Sequence, residues 1–176
     1  VNDSLRGTTS GEGTGNYLSQ RIIAATSNYG YHFTQWYDGN TDNPRIITLT
    51  QDVTLIAQFD KNLYSVTGVS QNGIQGAVTG SNTVEYLDEV TLTAVPNYGY
   101  HFTQWNDGNT DNPRTITLTQ DTSFTAEFAK NLYSVMGVSQ NENQGTVTGS
   151  NTVEYLDEVT LTVVPNYGYH FTQWDD

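Results

Sequence analysis

Between residues 89 and 95 the chain alternates: Val90, Leu92 and Ala94 are apolar, Thr91 and Thr93 polar. A period of two marks a half-buried strand whose apolar set faces a core. Comparable short runs lie on either side. Leu63–Ser70 reads as a strand, 76–80 as a short one beside glycine-rich turns, and 99–105 as another after a turn at Pro96 and Asn97. Phe102 and Trp105 break the alternation, which predicts a β-bulge near Thr103 and Gln104. Asp107-Gly108-Asn109 is a turn signal. Residues 114–119 and 123–128 then read as a closing hairpin, with Ile116, Leu118, Phe124, Ala126 and Phe128 inward. No segment has helical periodicity, so an all-β fold is expected.

The pattern repeats. Asn-Tyr-Gly-Tyr-His-Phe-Thr-Gln-Trp at 28–36 recurs at 97–105 and 166–174, a step of 69 residues each time. The same step carries Tyr17-Leu18 onto Tyr86-Leu87 and Tyr155-Leu156, and 62–66 onto 131–135. Between 62–105 and 131–174 only five of 44 positions differ. The expected organisation is repeat 1 over 1–61, lacking a first strand, a complete repeat 2 over 62–130, and repeat 3 over 131–176, lacking the final hairpin. Incomplete copies at both ends read as part of a longer array. Each module would be β-grasp-like without a clear helix, or a small sandwich or barrel, strung in a rod-like array. A module of this size buries only about 60% of its unfolded surface by itself. Few residues separate inward Phe128 from Leu132 and Tyr133, so neighbouring repeats are expected to abut.

Parity within the closing hairpin sharpens the expectation for repeat 1. If Ile47 and Leu49 share the core face with Leu55, Ala57 and Phe59, the loop must be odd, most simply 50–52. That register sets Ile46 opposite Ile56 on the outer face, where repeat 2 has Thr115 and Thr125. Ile46, Ile56 and nearby Tyr37 therefore form a candidate interaction patch.

Composition removes several classes. Six basic against nineteen acidic residues give a net charge of −13, so no nucleic-acid partner is expected and attraction to anionic lipid is disfavoured. No apolar run approaches the roughly 20 residues that span a bilayer. With no cysteine there is neither a disulfide nor a thiolate metal ligand. Aromatics at 12% argue against a disordered acidic tail, which would be poor in them.

Little catalytic chemistry is on offer. His32, His101 and His170 come one per repeat, without the spacing of a metal cluster. Glycines 11, 13 and 15 read as a flexible turn, and Asp88-Glu89, adjacent in a strand pattern, would face opposite sides. Asp38, Asn40 and Asp42, with Asp107, Asn109 and Asp111, place oxygens at i, i+2 and i+4 like the first half of a calcium loop. The second half fails, since Asn43 and Asn112 stand where the glycine belongs, and Leu49 and Leu118 where the bidentate Glu belongs. Neither a metal nor a cofactor is expected. Tyr29, Tyr31, Trp36 and Tyr37, or Tyr98, Tyr100 and Trp105, offer stacking platforms for a surface glycan if they do not fill the core.

The run at 99–105, then Asp-Gly-Asn-Thr-Asp-Asn-Pro-Arg at 107–114 and the Thr-rich stretch to Ala129 resemble the divergent InlB B-repeat family. That family is related to the Listeria–Bacteroides repeats of bacterial surface proteins. The resemblance covers essentially the whole chain. It implies an extracellular, tandem, non-catalytic protein of the bacterial cell surface, serving as stalk or spacer in an adhesin-like assembly. Two alternatives stand beside this: a carbohydrate- or host-binding module, and a filament subunit completed by strand addition between chains. The expected partners are neighbouring repeats, with other copies of the chain or surface glycan behind them. A β-grasp-like fold with a short helix is also implied, but 90–95 reads as strand.

Overall fold

The computed structural model describes residues 3–175. Among them every regular element is a strand, and no closed barrel forms. Repeat 1 contributes β1 (Gly7–Ser10), β2 (Gln20–Ser27), β3 (Tyr31–Trp36), β4 (Arg45–Thr48) and β5 (Ala57–Lys61). Repeat 2 contributes β6 (Leu63–Ser70), β7 (Gly76–Thr79), β8 (Asn82–Glu85), β9 (Glu89–Pro96), β10 (Tyr100–Trp105), β11 (Arg114–Thr117) and β12 (Thr122–Lys130). Repeat 3 contributes β13 (Leu132–Val135), β14 (Gly145–Thr148), β15 (Asn151–Glu154) and β16 (Thr162–Pro165).

The compact units are not the repeats. One comprises 1–67, 80–92 and 114–123, the other 68–79, 93–113 and 124–176. The first therefore combines repeat 1 with three stretches of repeat 2, and the second combines the remaining stretches of repeat 2 with repeat 3.

In the first unit, β2 pairs with β1 and β4, and β3 with β5, all antiparallel. Ile23, Ala25, Trp36, Ala57 and Phe59 make a buried cluster, with Phe33, Ile47 and Leu55 packed on it. The antiparallel pair of β6 and β8 belongs to this unit through Leu63↔Glu85 and Val66↔Asn82, as does the ladder of β11 on β9. Val66, Val90, Leu92 and Leu118 are buried there.

In the second unit β7 pairs with β9, β10 with β12, β13 with β15 and β14 with β16. Ala94, Trp105, Ala126 and Phe128 are its buried apolar residues. The alternation of β9 is realised as expected, Val90, Leu92 and Ala94 being buried. So is the bulge: the register slips between Phe102 and Gln104, and between Phe33 and Gln35 in repeat 1. The extra residue is threonine, and its hydroxyl donates to a carbonyl of the partner strand, Gln58 or Glu127.

Two expectations need correction. The closing hairpin does not form, because β4 and β11 pair with β2 and β9, whereas β5 and β12 pair with β3 and β10. Alternation fixes which side of a strand is buried and leaves the neighbour open. Ile46 consequently stands opposite Ile22, not Ile56, and both Ile22 and Ile46 are exposed. In repeat 2 that place is held by Thr91 and Thr115, whose hydroxyls are 3.1 Å apart. Strands β8 and β15 were not legible in advance. Their sequence, Asn-Thr-Val-Glu, is mostly polar, and they are held by backbone pairing and by hydroxyl pairs such as Ser65 with Thr83 at 2.8 Å.

Candidate functional site: the tyrosine junction between repeats

The closing part of each repeat carries Asn-Tyr-Gly-Tyr-His at the entry to β3 or β10. The glycine at its centre takes a positive φ, +84° at Gly30 and +86° at Gly99. A left-handed residue throws the two tyrosines to either side and bares the backbone between them. The next repeat places a ring on that bare backbone: Tyr86 over Gly30, and Tyr155 over Gly99. A Cβ on either glycine would overlap Cδ1 and Cε1 of the ring.

Around Tyr86 the rings of Tyr29, Tyr31 and Tyr64 stand edge-on, with centroids 5.7, 5.7 and 6.2 Å away. Around Tyr155 those of Tyr98, Tyr100 and Tyr133 lie at 5.6, 5.7 and 6.3 Å. Edge-to-face rings at such separations attract through their quadrupoles. The tyrosine is itself positioned by a turn in which Leu87 or Leu156 has a positive φ, +68° and +69°. Bulky side chains avoid that region, so the turn is held against local preference by what surrounds it.

Asn62 and Asn131 tie the backbones together. Asn62 N–H donates to Gly30 O at 2.8 Å, its carbonyl accepts from Tyr86 N–H at 2.8 Å, and its Oδ1 lies 3.0 Å from His32 Nδ1. Asn131 repeats this with Gly99, Tyr155 and His101, the histidine contact being 2.9 Å. Lysines at the end of β5 and β12 complete the junction. Lys61 Nζ is 2.8 Å from Asp88 and 3.6 Å from Glu85. Lys130 Nζ is 3.0 Å from Asp157 and 3.6 Å from Glu154. The hydrogen bond to Asp88 or Asp157 raises each lysine above its ordinary pKa, against a smaller opposing effect of desolvation. At these solvent-exposed positions the charge pairs are weak and serve alignment more than strength.

Two of the three histidines are thus hydrogen-bonded parts of a junction, and among the described residues no group of three or more potential ligands converges on a metal site. The calcium-like turns are closed on themselves. Asn40 N–H donates to Asp38 Oδ1 (3.3 Å), Asp42 N–H donates to Asn40 Oδ1 (2.9 Å), and Arg45 pairs with Asp38 at 2.7 Å, holding that carboxyl below its usual range. The turn wraps a tryptophan, since Trp36 Nε1–H donates to Asp42 O at 2.9 Å and Trp105 Nε1–H to Asp111 O at 2.8 Å. Asn109 N–H and Asp111 N–H repeat the bonds to Asp107 and Asn109. Trp36 and Trp105 are buried, so neither is a glycan platform. Tyr37 is exposed and its N–H donates to Ile56 O, while Ile56 is half-buried.

Sequence reasoning assigned the tyrosines to core or ligand and missed the junction. The signal was present in the joint recurrence of Lys61-Asn62, Glu85-Tyr86 and Asp88 with 130–131, 154–155 and 157.

The comparison with curated proteins and that with solved structures returned no match. The divergent InlB B-repeat domain matches three times, over residues 1–63, 64–132 and 137–176. Such repeats are typical of bacterial surface proteins. With nearly every residue inside one of the three matches, the chain belongs to the divergent InlB B-repeat family.

Proposed function

We propose that this chain is a non-catalytic spacer, part of the stalk of an adhesin-like protein on the outside of a bacterial cell. The observation that carries the reading is the junction: one arrangement of four tyrosines, an asparagine, a lysine and two carboxylates, built twice with ring separations differing by about 0.1 Å. A repeat that fixes its successor the same way each time converts copy number into reach. The net charge of −13 keeps such a spacer solvated and opposes lateral association.

The test is small-angle scattering on this chain and on versions lengthened by one and two further copies of 62–130. A compact module of this size adds about 30 Å, so the maximum dimension should rise by that amount per copy. A dimension that grows only as the square root of length would mean flexibly tethered modules and would overturn the reading.

A further inference from the structure

In repeat 2 the strand order β10-β12-β6-β8 sets the last strand of the repeat beside its first. Two hydrogen bonds fix the direction of that pair. Ser65 N–H, near the start of β6, donates to Asp121 Oδ1 at 2.7 Å, and Asp121 stands just before β12. Gln71 N–H, just past the end of β6, donates to Ala126 O at 2.9 Å, midway along β12. The first bond lies within the first unit and the second within the other, and both strands run on from one unit into the other. Both strands advance together between the two bonds, so β6 and β12 run parallel, whereas β6 with β8 and β10 with β12 are antiparallel.

Parallel neighbours place the two ends of the repeat at opposite ends of the pair. The chain enters β6 at Leu63 and leaves β12 at Lys130. A pull on the chain therefore draws β6 and β12 past each other along their length. The bonds between them, evenly spaced in a parallel pair, are loaded together and not in succession. Were the two strands antiparallel, the same pull would act on adjacent ends and open the ladder bond by bond. Sliding also drags packed side chains from their places, since Val66 is 1% exposed and Ala126 0%, and water then reaches apolar surface. At the loaded end of β6 the bond from Ser65 goes to a carboxylate, which makes it one of the stronger kind.

The load meets no slack on its way in or out. Only Asn62 separates β5 from β6, and only Asn131 separates β12 from β13. Each asparagine is held on both sides, its N–H by the glycine carbonyl of the repeat before and its carbonyl by the tyrosine N–H of the repeat after.

We propose that the repeat is a load-bearing clamp, in which tension along the chain is carried in shear by the parallel pair of β6 and β12. The repeat resists a pull along this pair more strongly than a pull across it. The source of the tension rests on the spacer reading, but the two fail separately: scattering measures reach without load, and the clamp shows only under load.

The experiment is single-molecule force spectroscopy on the 176-residue chain at one loading rate, with two sets of attachment points. The chain has no cysteine of its own, so introduced ones define the pull. Leu63→Cys with Leu132→Cys pulls along the pair, and Leu63→Cys with Gln120→Cys pulls its starting ends apart. All three side chains are exposed, so the substitutions leave the core untouched. Forced unfolding reads the barrier and not the equilibrium stability, which is the same fold's in both versions. Expected is a rupture force at least twofold higher along the pair. Repeat 2 should then release in one step of about 210 Å, the extended length of some 69 residues less the roughly 35 Å they span when folded. A force ratio below two, or release of repeat 2 along the pair in several small steps, overturns the proposal.

Discussion

Gly30 and Gly39 share a φ of +84° in the same repeat, but only Gly30 lies under a tyrosine ring. Nothing stands within 4 Å of a Cβ on Gly39, whereas one on Gly30 would overlap Tyr86. Replacing each by alanine therefore separates backbone strain from loss of the junction. A left-handed alanine costs roughly 1–2 kcal/mol, and that is the whole expected effect of Gly39→Ala. Gly30→Ala carries the same cost and also displaces a ring that makes three edge contacts. Each such pair is worth about 0.5–1.5 kcal/mol. Sharing of one ring makes them less than additive, so the displacement should cost about 2–3 kcal/mol more. In a chain of this size the excess corresponds to about 4–12 °C in melting temperature. The assay is thermal and urea unfolding of both variants, followed by Gly30→Ala in a Tyr86→Ala background, where the excess should vanish. Equal costs for the two glycines, or an excess that survives removal of the ring, would refute the assignment of Tyr86 as the element that closes the junction.

Two further outcomes follow from other parts of the structure. Asn112 stands in for a strand: its Oδ1 accepts from Ala94 N–H at 2.9 Å and its Nδ2 donates to Ala94 O at 2.8 Å. Asn112→Ala leaves both backbone groups of a buried residue unpaired and should cost about 2–4 kcal/mol, with amide exchange at Ala94 accelerated. The lysines predict an alkaline limit. Since the folded state raises the pKa of Lys61 and Lys130, their contribution is complete below the unfolded lysine value, about 10.4, and is lost as pH rises through the folded value. The melting difference between wild type and Lys61→Met should hold steady through neutral pH and close only beyond the ordinary lysine range. Closure near pH 7 would mean that another group carries it.

How far the sequence speaks for itself can be judged element by element. The alternation of Val90, Leu92 and Ala94 was readable because burial on one face of a strand is a local property. The bulge after Phe102 was readable because a broken period has few other causes. The pairing of β4 was not, because a two-residue period specifies a face and says nothing about the neighbour, and a short loop before the next apolar run looks like a hairpin. Strands β8 and β15 were hidden for a different reason: they are held by the main chain, and their side chains carry little apolar signal. The junction lay between these extremes. Its residues were visible as repeats, but a tyrosine that packs on a glycine of the preceding copy has no spacing rule, and only three dimensions bring Tyr86 over Gly30.

The two junctions share no residue, and their geometry is nearly the same. Lysine–aspartate distances are 2.8 and 3.0 Å, and the asparagine bonds to the glycine carbonyl are both 2.8 Å. If each junction is a nearest-neighbour interface, its loss should cost the same wherever it sits. Tyr86→Ala and Tyr155→Ala are therefore expected to agree within about 0.5 kcal/mol, and the double variant to show their sum within the same margin. Chemical unfolding monitored by amide exchange, which reports local as well as global opening, measures all three. A double variant much less affected than the sum would mean that breaking one junction already releases the other. Cooperativity would then be a property of the array as a whole, which would unzip from one defect. Additivity would mean that a defect stays where it occurs, and an array of such repeats could tolerate one poor junction while the others hold.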